Sequence, residues 1–467
     1  MLRLLPGQVI DGFTLVEPLH RGGMALLWRV THSAHRQPLL MKVPLIAYGE
    51  GPGAIVGFEV EQMILPRLSG QHVPRFVASA DFSRQPYIVM EHLPGRSLFP
   101  LSESAPLDAV AVADIGARVA TALHDVHRQH VIHFDLKPAN IMRRESGEAV
   151  LIDFGLSRHD QLPDLLAEEF RLPIGTAPYL SPEQVMGDRS DPRSDTFALG
   201  VMLYLFATGT HPFGERESAR ALRKRLYREP APPRALRGDI PPSLQEVILR
   251  CLEVDPDRRY DTAAQVAFDL AHPGEVRLSE RAERASRGSL TRRAKRWLGA
   301  LVPPARVKRS VARHLADAPI IMAAVDLSPE MQELAEALRN VVRRVLELEP
   351  KARVACVNVL KRPRIGIDFG EDEQGRSLHV LRLVALKHWA RPLGLGEGRV
   401  TYTVLESPEP AGALLDYARQ AQVDHIVIGA RGASAVRRYL GSVSSQVVAE
   451  ASCNVTVVRT RAAQSLP

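Results

Sequence analysis

The stretch Val131-Ile-His-Phe-Asp-Leu-Lys-Pro-Ala-Asn-Ile-Met142 sets Asp135, Lys137 and Asn140 at a spacing suited to phosphoryl transfer. That chemistry needs little covalent help. It needs a metal to neutralise phosphates, a cation on them, a cover that excludes water and an acceptor for a hydroxyl proton. Asp135 can orient or deprotonate the hydroxyl and Lys137 can steady the transferred group, while Asn140 and Asp153 of "LIDFGLS" offer oxygen ligands to magnesium. Lys42 ends the strand-like "PLLMK" and can reach two phosphates. Glu61 lies nineteen residues further on, in a helical stretch where Phe58, Leu65 and Leu68 keep one face apolar, and an ion pair there would hold the lysine. A lone Asp-Phe-Gly or Lys-Pro-x-Asn is more often chance or turn chemistry than catalysis. The weight comes from several such pieces in one order.

The order is long. After "HRGGMALLWRV" and "LLMK" come "VMEHLPGRSL", "HFDLKPANIM", "DFG", "GTAPYLSPEQ", "SDTFALGVMLYLFATGTHPF" and "DPDRRY". With these motifs, residues 9 to 271 resemble the eukaryotic-type serine/threonine protein kinases found in bacteria. The resemblance implies a bilobal α+β kinase fold over residues 1–272, binding ATP with magnesium, or manganese in its place, and a protein substrate with a Ser or Thr acceptor. By the same resemblance Gly22 and Gly23 belong to the loop over the phosphates and Met90 is the gatekeeper. Glu91 and Leu93 would offer backbone hydrogen bonds to adenine, Glu183 would pair with Arg259, and Asp195 would anchor the loop bearing Asp135. Lys137 and Thr176 point to Ser/Thr rather than Tyr acceptors. His20 and Ala25 stand where the family has glycine. Gly22, where backbone must approach phosphate most closely, is kept, so weakened rather than abolished ATP binding is expected.

Phe134 is a larger departure. In kinases with arginine there, the guanidinium receives an activation-loop phosphate through paired hydrogen bonds. Phenylalanine cannot. From Leu156 to Pro178 the only hydroxyl residues are Ser157, beside the metal motif, and Thr176, in the substrate-facing turn. The expectation is a working catalyst whose loop is ordered by packing of Phe134 against the loop's leucines, without control by loop phosphorylation. The alternative is a catalytically weak, pseudokinase-like nucleotide-binding scaffold in stress signalling. Against it, Lys42, Glu61, Asp135, Asn140 and Asp153 are all present.

The elements that would carry these residues change character along the chain. Up to about His272, short β-like runs such as "FTLVEPL" and "PYIVMEHL" give way to helical stretches. Residues 273–317 are basic, broken by Pro303-Pro304, and form a linker. Over 318–460 strands and helices alternate strictly, from "PIIMAAVDL" to "NVTVVR", which predicts a parallel sheet with helices on its faces. "MAAVDLSPEMQELAEAL" and "DHIVIGARGASAVRRYLGSVSSQVVAEASCNVTVVR" resemble the two ends of universal stress protein domains. That resemblance implies an α/β, Rossmann-like domain that senses or dimerises, with a homodimer formed through it. Gly429 and Gly432, then eight residues, then Gly441-Ser442 follow the spacing of ATP-binding members. Glycines there let amides approach phosphate, with a helix N-terminus behind them. Equally, the glycines serve only a tight turn and a dimer surface.

Composition narrows the remaining classes. The net charge of +7 is concentrated between Arg277 and Arg313, where twelve Lys or Arg face Glu280 and Glu283. The folded parts are not generically basic, so no specific nucleic-acid partner is expected. Trp297, Leu298, Leu301 and Val302 beside the basic run are compatible with an acidic membrane surface, although a solvated linker or a helix packed on the kinase lobe explains them as well. Cys251, Cys356 and Cys453 lie far apart and support neither a disulfide framework nor a zinc site. No apolar run approaches the ~20 residues of a membrane span, and a cytoplasmic location is expected.

Overall fold

The computed structural model of the 467-residue chain describes all but residues 1–3, 23–24, 46–52, 83–84, 171–172, 215–217, 285–318, 363–377, 397–398, 431–440 and 461–467. Gly23, Gly432 and the apolar cluster from Trp297 to Val302 therefore lie outside the described residues. The chain divides into two compact units, one of residues 1–271 and 278–314 and one of residues 272–277 and 315–467.

The first unit opens with six strands: β1 (Val9–Ile10), β2 (Phe13–Arg21), β3 (Ala25–His32), β4 (His35–Pro44), β5 (Phe76–Ala80) and β6 (Tyr87–Glu91), with helix α1 (Gly53–Ile64) between β4 and β5. They form one antiparallel sheet in the order β1-β2-β3-β4-β6-β5. Alternate residues Phe13 and Leu15, Trp28 and Val30, and Leu39, Met41 and Val43 point to one side and meet Tyr87 and Val89 in a buried cluster. This is the period of two that a half-buried strand requires. It leaves Lys42, between Met41 and Val43, facing away from that cluster.

The helical part of this unit begins with α2 (Phe99–Glu103) and α3 (Ala109–Arg128). Asp108 caps α3 by accepting from the Val110 and Ala111 amides. Short strands β7 (Val131–Ile132), β8 (Ile141–Arg143), β9 (Ala149–Leu151) and β10 (Arg158–His159) pair as β7 with β10 and β8 with β9, framing the two loops that carry Asp135 and Asp153. Then follow α4 (Leu165–Glu169), α5 (Pro182–Val185), α6 (Arg193–Thr208), α7 (Ala219–Arg223), α8 (Pro233–Leu236), α9 (Pro242–Cys251), α10 (Ala263–Ala271) and α11 (Glu280–Glu283). Every residue of α6 from Arg193 to Ala207 is buried, so the longest apolar run of the sequence is a core helix. No helix among the described residues is long and apolar enough to cross a membrane.

Residues 278–284, assigned from sequence to the linker, pack on α9. Ala282 is fully buried, Gln245 donates to the carbonyls of Arg281, Ala282 and Arg284, and Arg281 pairs with Glu246 at 2.9 Å. Their alternation of acids and arginines reads as a charged linker in sequence. In the fold Arg281 faces Glu246 of α9 and Glu253 just beyond it, and Arg284 faces Glu229.

The second unit has the expected alternation. Strands β11 (Ile320–Ala324), β12 (Arg353–Lys361), β13 (Val400–Ser407), β14 (His425–Gly429) and β15 (Asn454–Val458) form a parallel sheet in the order β13-β12-β11-β14-β15. Helices Gln332–Leu348, Leu378–Ala390, Pro410–Gln420 and Ser442–Glu450 lie between successive strands in sequence. Ile321, Ala323, Val354, Cys356 and Val427 of the sheet pack with Leu334, Leu338, Val342, Leu386 and Trp389 of the helices in one core. Buried on both faces, the central strands read as nearly continuous apolar runs.

Glu183 and Arg259 hold α5 to the end of the helical part: the guanidinium donates to both carboxylate oxygens, at 2.6 and 2.8 Å, and neither side chain touches solvent. Removing one partner of such a pair leaves a buried charge uncompensated, at a cost of about 3 to 5 kcal/mol. Glu183→Gln should therefore move the urea midpoint of the first unit's unfolding down by that equivalent and leave the second unit's transition in place. A wild-type midpoint would show that the pair contributes nothing.

Candidate active site

Lys42 stands at the junction of three elements. Its Nζ donates to Glu61 of α1 at 2.5 Å and to Asp153, in the loop after β9, at 2.9 Å. Burial works against the Lys42 charge, but the Asp153 and Glu61 carboxylates more than offset it and hold the ammonium above its usual range. The same cation pulls the Asp153 carboxyl down to about 2, so this group is ionised at any working pH. Glu61 is 2% exposed. Burial pushes its carboxyl up, against the pull of Lys42, and the Phe154 amide also donates to it.

Glycines bring α1 close enough for this. A Cβ built on Gly57 would lie 3.2 Å from the Gly155 carbonyl oxygen, and one on Gly155 would lie 3.1 Å from that of Gly57. Two backbones thus touch one turn before Glu61. A glycine inside a helix costs about 1 kcal/mol relative to alanine, and that anomaly was the one sign of the contact in the sequence.

The loop of residues 133 to 140, which carries Asp135, hangs from α6. Asp195 accepts from the amides of His133 and Phe134 and from His127 Nε2, each at 2.8 Å, with 1% of its surface exposed. Phe134 takes a left-handed backbone, φ +60°. That conformation is strained for a bulky residue, and it is held from both sides, since the Phe134 carbonyl accepts from Gln184 Nε2 at 2.9 Å. The turn aims Asp135 outward. Asn140 Nδ2 donates to the Asp135 carboxylate at 2.9 Å and to its carbonyl at 3.0 Å, and Lys137 Nζ donates to the carboxylate at 2.7 Å. Thr176 closes the set: its hydroxyl donates to Asp135 Oδ1 at 2.7 Å and accepts from Lys137 Nζ at 2.8 Å.

The structure thus brings Lys42, Glu61 and Asp153 together on one side and Asp135, Lys137, Asn140 and Thr176 on the other. The donor set suits a hard cation: with its Nδ2 turned to Asp135, Asn140 directs its oxygen the other way, and Asp153 is a carboxylate with 46% of its side chain exposed. Met90, 7% exposed, ends the buried run of β6. The Glu91 amide donates to the Arg75 carbonyl at 2.9 Å and the His92 amide to that of Pro38 at 3.1 Å, so what Glu91 can offer adenine is its carbonyl oxygen. Its side chain is bound by Arg144 at 2.6 and 3.1 Å, which ties the segment after β6 to the loop after β8. Gly22 lies at the end of the β2–β3 hairpin, its amide on the Ala25 carbonyl at 3.0 Å. A Cβ there would meet protein only at ordinary contact distance, 3.6 Å, so the protein itself does not require this glycine.

In the second unit, Gly429 ends β14 and Gly441 caps the helix that Ser442 begins. A Cβ on Gly429 would lie 2.8 Å from Leu334 Cδ2, so this glycine is needed for helix Gln332–Leu348 to close on the sheet. Sequence reasoning missed Gly57, Gln184 and Arg189. Arg189 lies with its guanidinium 4.7 Å from the centre of the Phe134 ring, a neighbour quite unlike the leucines expected there.

Comparison with known proteins fits this geometry. The family model described as "Protein kinase domain" matches residues 18–269, more than half of the chain, and the chain belongs to that family. The model described as "Universal stress protein family" matches residues 319–459, so a kinase domain is followed by a universal stress protein domain. Serine/threonine-protein kinase PknB of Mycolicibacterium smegmatis is 31% identical over 281 residues, covering 58% of this chain and 44% of its own. A probable serine/threonine-protein kinase of Clostridium perfringens is 29% identical over 266 residues, covering 56% and 38%. The chain spans less than half the length of these curated relatives. The crystal structure of the Mycobacterium tuberculosis PknI kinase domain aligns with a TM-score of 0.46 at 23% identity, over 58% of this chain and 99% of that one.

If the Gly57–Gly155 contact sets the position of α1, Gly57→Val should force the helix away and part Lys42 from Glu61. Misplacement by about 1 Å costs on the order of a hundredfold in rate, and a loss of that size in phosphoryl transfer is expected with the melting temperature nearly unchanged. Initial rates with a generic basic protein acceptor check it, and a rate near wild type would show that α1 is placed by other contacts.

Proposed function

We propose that this chain is an ATP-dependent serine/threonine protein kinase, active without phosphorylation of its activation segment and coupled to a stress-sensing or dimerising domain. One observation carries the proposal. A threonine hydroxyl already rests between Asp135 and Lys137, at 2.7 and 2.8 Å, as an acceptor hydroxyl would have to.

In this proposal Asp135 takes the hydroxyl proton, and Asn140 keeps its carboxylate aimed. Lys137 steadies the transferred phosphoryl, and Lys42, fixed by Glu61, holds the α and β phosphates. Asn140 and Asp153 hold magnesium, which when bound neutralises charge on the phosphates. Gly22 and Gly23 cover the phosphates, while Met90, the Glu91 carbonyl and the Leu93 amide frame adenine. A retired scaffold would be expected to lack at least one of these residues.

Lys42→Met and Asp153→Asn should each abolish transfer without unfolding the protein, because they remove phosphate positioning and a metal ligand while leaving the core filled. Protein treated with phosphatase, and shown by mass spectrometry to carry no phosphate at residues 156–180, should transfer phosphate linearly from the first minute. A lag that ends as Ser157 or Thr176 becomes phosphorylated would overturn the proposed mode of control.

The second domain, in the same proposal, binds an adenine nucleotide weakly through Gly429, Gly432, Gly441 and Ser442. Support comes from topology: β11 and β14 adjoin where the strand order reverses, Gly429 is the last residue of β14 and Gly441 lies in the connection after it, and the carboxyl ends of the strands there are the usual ligand crevice of such sheets. Calorimetry on the full chain carrying Lys42→Met should show a second, weak ATP site that disappears when Gly432→Val is added. No such heat at millimolar ATP would leave the domain as a dimerisation or partner-binding module.

A further inference from the structure

Arg189, in the loop between α5 and α6, reaches Phe134, Leu156 and Asp164, all 25 or more residues before it in sequence. Its Nε donates to both carboxylate oxygens of Asp164 at 3.2 and 3.3 Å, and its Nη2 donates to the Leu156 carbonyl at 2.9 Å. Its guanidinium faces the ring of Phe134 at 4.7 Å. Leu156 follows the metal loop, Asp164 begins α4 in the activation segment, and Phe134 adjoins Asp135. The side chains of Arg189 and Asp164 are 9% and 17% exposed, so solvent screens this pair far less than a surface one. Asp164 is itself fixed, accepting from the Ala167 amide at 3.2 Å, and Arg158 of β10 reaches it at 3.7 Å. Leu166, two residues later, is 1% exposed.

We propose that Arg189 is a positioning residue for phosphoryl transfer, which with Asp164 braces the activation segment and the metal loop against the catalytic loop through Phe134. Asp164 places a carboxylate within the segment, and the guanidinium that receives it comes from beyond α5 rather than from residue 134. A planar fork is required: Nε serves the carboxylate, Nη2 serves the carbonyl, and the flat face lies on the aromatic ring. Lysine offers no such set. No hydrogen bond or ion pair of the brace reaches Lys42 or Glu61, so its loss leaves nucleotide binding in place and misaligns the groups that act on the acceptor.

The proposal rests on the kinase function above, and its test separates the two. In the full-length chain, with ATP, magnesium and a generic basic protein acceptor, Arg189→Met and Asp164→Asn should each lower kcat about tenfold or more while KM for ATP stays within about twofold. The double variant should be no worse than the poorer single one, because the two act as one unit. Amide hydrogen exchange over residues 156–170 should quicken about tenfold in each variant, with residues 195–208 unchanged. A kcat within about threefold of wild type, or losses that multiply in the double variant, would overturn the brace. Should Arg189→Met fail to fold, Arg189→Lys, which retains the charge and loses the fork, takes its place with the same expected split. If wild type transfers no phosphate, the kinase proposal fails and hydrogen exchange alone decides: quickening confined to 156–170 supports the brace, and its absence refutes it.

Discussion

One buried carboxylate organises the first unit. Asp195, near the start of the buried helix α6, accepts three hydrogen bonds of 2.8 Å, two of them from consecutive backbone amides of the catalytic loop. A sheltered carboxylate bound by two adjacent amides fixes a peptide plane as well as a position. That plane is what makes the left-handed turn at Phe134 tolerable, and the turn in turn aims Asp135. The geometry around Asn140, Lys137 and Thr176 is therefore inherited from a helix whose own side chains are buried from Arg193 to Ala207.

The second centre is a cation between two anions. Lys42 satisfies Glu61 and Asp153 together, so the sheet, helix α1 and the loop after β9 share one ammonium. Its two partners differ, because Glu61 is sealed from water while about half of the Asp153 side chain is exposed. Asp153 is thus an ionised carboxylate, partly exposed and already oriented by Lys42. The glycine pair at 57 and 155 makes such sharing geometrically feasible, since any side chain would hold the helix and the loop apart.

What the sequence revealed followed from distance along the chain. Asp135, Lys137 and Asn140 lie within one turn of structure, so their spacing alone suggested their meeting. The alternating strands and helices of the second unit were legible because each apolar run is continuous and bounded, as strands covered on both faces must be. Arg189 was hidden, because "GDRSD" reads as an ordinary turn and nothing local says that its guanidinium will lie on Phe134. Gly429 was legible as a glycine required after a strand, but its local reason is Leu334 on a helix nearly a hundred residues earlier. The interactions that escaped sequence reading are those whose two halves belong to separate elements and whose residue types are individually commonplace.

The packing of α11 bears on how the two halves can be separated in the laboratory. A cut placed after α10, where the motif pattern ends, would take away the three carbonyls that receive the Gln245 amide and the guanidinium that faces Glu246. It would also uncover the surface that Ala282 seals. A kinase half ended at residue 272 would expose a polar and apolar wound on α9, inviting self-association through that surface. Ended beyond residue 284, the same half keeps its own seal, and any change in behaviour on separation can be credited to the missing domain.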